Sequence, residues 1–267
     1  MPSKRTLLWD YTLTRDFQNT PALRDTVGTL SDNGPLTTVI NWNAWRPSEL
    51  PEFFRFQPMV RTPAQLEGGE WDLINGSINA EIQKPGDDEV IVFTFNEPER
   101  IPLSPGDAAG LWRARLFPLR NQYGSRLKLV SPSCASDPAG NQWLEDFMGM
   151  LGDDEKPDYV GAHFYTSQDQ SAEDGIAAAK DHLAFLCNKF GKALIVSEIA
   201  STSRDGGNVE RFSHEIVDWM DAQGWIHAYA LFAAMREIAD GFVSPAAQLM
   251  DNEGRWTSLG RWWAGSS

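Results

Sequence analysis

The sequence predicts an α/β protein, a compact (β/α)8 TIM barrel running over residues 1–267 as one domain. Three observations predict it. Eight short apolar runs recur, at 7–11, 38–42, 54–60, 90–95, 127–131, 159–165, 193–199 and 225–232. Amphipathic segments with helix start and stop signals lie between most of them. Spread over the chain, this gives about 33 residues per unit, close to the spacing of a small barrel of this type. A doubly wound open sheet is the rival architecture. It usually has fewer strands and opens on a glycine-rich turn, and no GxGxxG occurs here.

The runs are rich in β-branched and aromatic residues. Several are apolar on both faces, as in Val90-Ile91-Val92-Phe93, which suits parallel strands covered from both sides. The connection 46–53 is short and proline-punctuated, which argues against a helix there. Ser104-Pro105 supplies a cap and an N1 proline for a helix over 106–121. A second helix is read over 137–151. Ser171, with Glu173 and Asp174 in the first turn and Gly191 after the end, brackets a helix over 171–190. Phe212, Ile216, Val217, Trp219 and Met220 recur at helical spacing over 208–222, and Gly224 ends the pattern. The same pattern extends a last helix over 247–264.

Composition narrows the function. With 23 Lys+Arg against 37 Asp+Glu, the net charge of −14 argues against nucleic acid and against an anionic membrane surface. No apolar run approaches the roughly 20 residues of a membrane span. The first ten residues carry Lys4 and Arg5 without an apolar stretch, so no signal peptide is visible. A chain trimmed of its leader would read the same, which leaves the compartment open. Cys134 and Cys187 stand apart from any Cys/His cluster and read as two buried thiols. No P-loop, HExxH or GxSxG is present. One sequon, Asn75-Gly76-Ser77, is what chance gives a chain of this length. The 11 Trp are the unusual number. Flat amphipathic rings suit a sugar-binding cleft.

In a barrel of this type chemistry sits where the strands end. The fourth run stops at Asn96-Glu97-Pro98-Glu99 and the seventh at Ser197-Glu198. An ionised Glu at the edge of an apolar run is costly without a reason. Strands 4 and 7 face each other across a barrel mouth. Glu97 and Glu198 are therefore the candidate catalytic pair, one acid to protonate a leaving oxygen and one carboxylate to attack an anomeric carbon. Asn96 is placed to bond a sugar hydroxyl or the nucleophile. Glu99 reads as a solvated or Arg100-paired neighbour, and Asp10 as structural.

These motifs resemble the clan A glycoside hydrolases. Within that clan, Val130-Ser131-Pro132-Ser133, His163-Phe164-Tyr165 and Tyr229-Ala230-Leu231-Phe232-Ala233 resemble glycoside hydrolase family 128, the glycosyl hydrolase catalytic-core family of β-1,3-glucanases. The resemblance runs from Trp9 to Phe232. It implies a catalytic barrel in which Glu97 is the acid/base and Glu198 the nucleophile of a retaining double displacement, without metal or cofactor. It implies internal cleavage of β-1,3-glucan, polymer or oligosaccharide. Clan relatives often place a Trp after strand 8, where this chain has Phe232.

Trp42, Asn43, Trp45, Gln57, His163 and Tyr165 fit substrate binding by their positions at strand ends, with Trp9 and Phe232 as further candidates. Tyr165 is the expected donor to the Glu198 carboxylate, keeping it ionised. Trp219, Trp262 and Trp263 read as packing. Repulsion between the carboxylates and partial burial are expected to raise the pKa of Glu97. Two other readings stay open: a non-catalytic β-glucan-binding barrel, and a hydrolase of β-1,4-glucan or mannan. A monomer is the expected state.

Overall fold

A computed structural model describes residues 3–237 and 241–266; the remaining residues of the expected 1–267 unit lie outside the described part. The strands are β1 (Arg5–Leu8), β2 (Leu36–Ile40), β3 (Arg55–Phe56), β4 (Met59–Val60), β5 (Val90–Asn96), β6 (Leu127–Ser133), β7 (Val160–Tyr165), β8 (Leu194–Ala200) and β9 (Ile226–Leu231). All the pairings between these strands are parallel. They form a six-stranded sheet in the order β3-β2-β1-β9-β8-β7 and a three-stranded sheet in the order β4-β5-β6.

The α/β class is therefore present, and the arrangement is compatible with a (β/α)8 barrel, but the expected closed ring appears as two sheets. The reason lies at two seams. The third apolar run, 54–60, bends at Gln57-Pro58, where a strand ladder loses an N–H, so its halves pair with different neighbours. Between β6 and β7 the ladder is reduced to the isolated parallel bridges Val130–Tyr159 and Cys134–Ala162.

The double-sided apolar runs have a direct structural meaning. On β5, Ile91 and Phe93 join an inner cluster with Leu8, Ile40, Met59, Val130 and Ile195. Val90 and Val92, on the opposite face, join the larger layer between strands and helices. Burying both faces leaves no polar side along such a strand until its end.

The helices are α1 (Tyr11–Asp16), α2 (Pro21–Val27), α3 (Gly68–Gln83), α4 (Pro105–Leu111), α5 (Leu119–Tyr123), α6 (Pro138–Met150), α7 (Ala172–Phe190), α8 (Gly206–Ala222) and α9 (Ser258–Ala264). Ser171 caps α7 by accepting from Asp174 N, and Gly191 closes it at φ 62°. Asp10 is the N-cap of α1, a structural role.

Two helix expectations are corrected, and one helix is added. The segment 106–121 is interrupted by a π-helical turn, Trp112–Leu116, ahead of Pro118, which lacks the N–H a continuous helix needs. Only 258–264 of the expected 247–264 is α-helical, because Asp251 Oδ1 accepts from the N–H groups of Glu253 and Arg255 and holds a turn there. Helix α3 has no counterpart in the sequence reading: Gly68, Gly69 and Gly76 weaken its signal. The sequon lies on α3. There the Asn75 amide donates to the Trp71 carbonyl and accepts from Tyr123, so it is packed rather than displayed on a loop. Both cysteines are free, Cys134 buried and Cys187 only half-buried. Among the described residues no helix is long and apolar enough to cross a membrane.

Candidate active site

Strand β5 carries its apolar run to Asn96, and the chain then turns sharply. Glu97 adopts φ 44°, ψ 57°, and Pro98 opens a 3-10 turn, Pro98–Arg100. Trp42 and Phe95 also have positive φ, 57° and 24°. These are the described non-glycine residues in that region, and all lie at the carboxyl ends of β2 and β5. Such backbone costs about 1–3 kcal/mol per residue and persists where surrounding structure enforces it. Here Glu97 N donates to the Ser133 carbonyl at 2.8 Å and fixes the turn.

Glu198 lies within β8, paired in register with His163 on β7. Its two oxygens are held separately. Trp42 Nε1 donates to Oε1 at 2.7 Å, and the Tyr165 hydroxyl donates to Oε2 at 2.5 Å. Glu198 is 5% exposed, so these donors replace water around a carboxylate that is nearly out of solvent. Glu97 is more open, its side chain 28% exposed.

The fully buried His163 lies between the two acids. Its Nδ1 is 3.1 Å from Glu97 Oε1, and its Nε2 is 3.1 Å from Ser197 Oγ and 3.5 Å from Glu198 Oε1. Ser197 Oγ in turn donates to Ser133 Oγ at 3.1 Å. Gly161 makes room for this chain: a Cβ there would lie 2.2 Å from Ser133 Oγ.

Burial lowers the pKa of His163, but the charge of Glu198 and the bond to Glu97 outweigh it, so the net direction is upward. Burial raises Glu97, yet the hydrogen bond and charge of His163 outweigh that and hold it below the usual carboxylate value. This corrects the expectation of a raised Glu97. The sequence reading weighs the second carboxylate but not an imidazole between the two.

One ligand atom from each of Glu97, His163 and Glu198 lies within 4.8 Å of the other two. That is close enough to share a cation, although both imidazole nitrogens already face protein partners.

A cleft of about 400 Å3 opens beside Glu97, lined by Trp42, Asn43, Asn96, Arg61, Gln65 and Arg100 among others. Asn96 Oδ1 is buried without a hydrogen-bond partner beside this cleft. Phe232 meets Trp42 and Tyr165 edge-on, each at 5.7 Å between ring centroids. Trp42, Asn43, Asn96, His163, Tyr165 and Phe232 are thus brought together around the two acids.

Three expected binding residues are placed elsewhere. Trp9 is 0% exposed and packs in the core, its Nε1 donating to Glu49 at 2.8 Å, so it offers no free face. Gln57 is buried at the bend of the third run, and the cavity it lines opens at the amino ends of the strands. Trp45 is half-buried and does not line the cleft; its carbonyl accepts from Asn41. Glu99 is not solvated: its side chain is 4% exposed, accepts from Ala135 N and lies 3.6 Å from Arg100.

Sequence reasoning missed Arg61, Thr62 and Gln65. A signal was available in Thr62-Pro63-Ala64-Gln65, which forms a capping box directly after β4. It also missed Phe242, whose ring lies 5.2 Å from Tyr165.

A pair of carboxyl groups over the carboxyl ends of parallel strands is an arrangement that suits cleavage of a glycosidic bond. A glycoside hydrolase is the class of protein that fold and site define. The family model described as "Glycosyl hydrolase catalytic core" matches residues 19–263, and the chain belongs to that family, glycoside hydrolase family 128. The crystal structure of a subgroup VI exo-β-1,3-glucanase from Aureobasidium namibiae is 38% identical, with a TM-score of 0.84 over 100% of this chain and 97% of that one. A subgroup V exo-β-1,3-glucanase from Cryptococcus neoformans is 24% identical, with a TM-score of 0.74 over 99% of each chain. A subgroup IV endo-β-1,3-glucanase from Lentinula edodes is 18% identical, with a TM-score of 0.75 over 98% of this chain and 100% of that one. These last two show the likeness of fold. No curated protein sequence matches the chain.

Proposed function

We propose that the chain is a β-1,3-glucan hydrolase working by retaining double displacement, with Glu198 as nucleophile and Glu97 as acid/base. The observation that carries this reading is the asymmetry of the two acids. Glu198 receives one donor on each oxygen, from Trp42 and Tyr165, which together fix the carboxylate in place. Glu97 instead faces the His163 imidazole at 3.1 Å, whose pKa is raised by the two acids.

In the first step a Glu198 oxygen bonds to the anomeric carbon. The electron pair of the breaking glycosidic bond goes to the leaving oxygen, which takes a proton from Glu97. That proton reaches Glu97 Oε1 from His163 Nδ1. In the second step water attacks the anomeric carbon and gives its proton to Glu97, which returns it to His163 Nδ1, and Glu198 leaves as a carboxylate.

The substrate class follows the described activity of the 38%-identical relative. A neutral glucan has nothing to fear from a chain of net charge −14. We read residues 1–267 as one catalytic unit acting as a monomer. We also read its strands as a closed ring of eight staves, with β3 and β4 as one bent stave and the β6–β7 bridges as the closing seam. Internal cleavage is the mode implied by the sequence resemblance. The exo activity described for the Aureobasidium relative favours a second reading, release from a chain end.

The experiment is reducing-sugar release from laminarin, curdlan, cellulose and mannan. Release from the first two alone is the expected result. Release from none points to a glucan-binding barrel, and release from cellulose or mannan overturns the substrate. Early products separate the modes: a ladder of sizes for internal cuts, one short sugar for chain-end release.

A further inference from the structure

A cavity of about 690 Å3 opens at the end of the strands opposite the candidate active site. Its lining comes from residues that precede or begin strands, including Lys4 before β1, Thr37 in β2, Glu89 before β5 and His227 in β9. Gln57 also lines it. That side chain, read from sequence as a substrate contact, is 3% exposed, and its Oε1 is buried without a hydrogen-bond partner. Arg55, another lining residue, has Nη1 buried and unpartnered. A buried acceptor and a buried donor left open beside one cavity are unusual, because native interiors satisfy such groups.

Most of the charged groups around the cavity already bond the protein; Asp87, at the exposed rim, is the exception. Arg55 Nη2 bonds Asp88 at 2.8 Å. Lys4 Nζ donates to the carbonyls of Met220, Asp221 and Gln223. Glu89 accepts from the Tyr159 hydroxyl at 2.5 Å. An anionic ligand would meet three acidic side chains, Asp87, Asp88 and Glu89, against two cations already bonded to the protein. Gln57 Oε1 and Arg55 Nη1, one acceptor and one donor, have no protein partner, and Ile91 and Ala228 from the inner cluster give the lining an apolar part. A hydroxyl group both donates and accepts, and the C–H face of a sugar ring matches such an apolar part. The volume is within the range of small-ligand sites.

We infer that this amino-end cavity is a second, non-catalytic site for a neutral saccharide of one or two sugar units. The inference rests on the cavity's own chemistry and stands whether or not Glu97 and Glu198 cleave β-1,3-glucan.

The test is an NMR titration of the Glu198→Gln protein with glucose, laminaribiose, glycerol and inorganic phosphate, following the backbone amides of Thr37, Glu89 and Ala228. Glucose or laminaribiose is expected to give saturable shifts at these amides, with Kd on the order of 1–10 mM. Gln57→Leu is expected to weaken this binding at least about tenfold. Should that variant fail to fold, Thr37→Trp, which fills the mouth from a half-buried position, is expected to do the same. The inference is overturned by saccharide shifts confined to the Trp42–Asn96 end, by equal response to glycerol, by stronger response to phosphate, or by a cavity that holds water alone.

Discussion

The Tyr165 hydroxyl donates to Glu198 Oε2 at 2.5 Å, from the end of β7 to the middle of β8. A hydrogen bond to a buried carboxylate contributes about 1.5–3 kcal/mol. Tyr165→Phe removes this donor and keeps the ring that meets Phe232 edge-on. It is expected to lower kcat by roughly 10- to 100-fold while KM changes by only a few-fold. Steady-state kinetics on a soluble β-1,3-glucan measure the split.

The position of His163 predicts a pH profile. Its pKa in the folded protein lies above the usual 6.5, so the proton it shares with Glu97 is retained past that value and lost as pH rises through the raised pKa. The alkaline limb of kcat/KM is expected above pH 6.5, and His163→Gln is expected to move it acidward. A purely structural loss would lower the rate at every pH alike. Stability follows the same signs. The contribution of His163 is complete below pH 6.5 and fades above it. That of Glu97, whose folded value lies below the usual 4.5, is present above 4.5 and lost on acidification through the lowered value.

The two strand-end tryptophans predict opposite phenotypes. Trp9 is wholly buried, and Trp9→Ala is expected to cost about 3–5 kcal/mol in urea unfolding. Trp42 lines the cleft and donates to Glu198. Trp42→Phe is expected to leave the unfolding midpoint within error and to lower kcat by about tenfold.

Gly161→Ala tests the packing beneath His163. The added methyl would meet Ser133 Oγ and the Ser131 carbonyl. Overpacking of this kind costs about 1–3 kcal/mol. Because Ser133 supports Ser197 and Ser197 supports His163, activity is expected to fall in protein that remains folded at the assay temperature.

The acids were legible because each interrupts an apolar run, a local pattern that needs no tertiary knowledge. The helix ends at Ser171 and Gly191 were legible for the same reason. What escaped depends on where a side chain points or on what comes from far along the chain. Trp9 and Trp42 both end strands. Trp42 reaches the cleft through a residue at φ 57°, while Trp9 keeps a core-facing position. Gln57 looked like a strand-end residue only while 54–60 was one straight run; the bend at Pro58 places it by the opposite opening. The register shift between Ala162 and His163 sets His163 opposite Glu198, and no alternation of residues announces it. Without that contact the direction of the Glu97 pKa could not be read.

The nucleophile assignment predicts a large effect from a small change. Glu198→Ala is expected to reduce kcat by roughly three orders of magnitude or more, with glucan binding retained. Isothermal titration with a laminari-oligosaccharide, alongside turnover, checks both halves.

The central claim is that Glu198 attacks the sugar and Glu97 serves both steps. Proton NMR of the reducing end formed in the first minutes of hydrolysis tests it most directly. Two successive displacements at the anomeric carbon predict that the β-anomer appears first and then mutarotates; an α-anomer formed first would contradict the account.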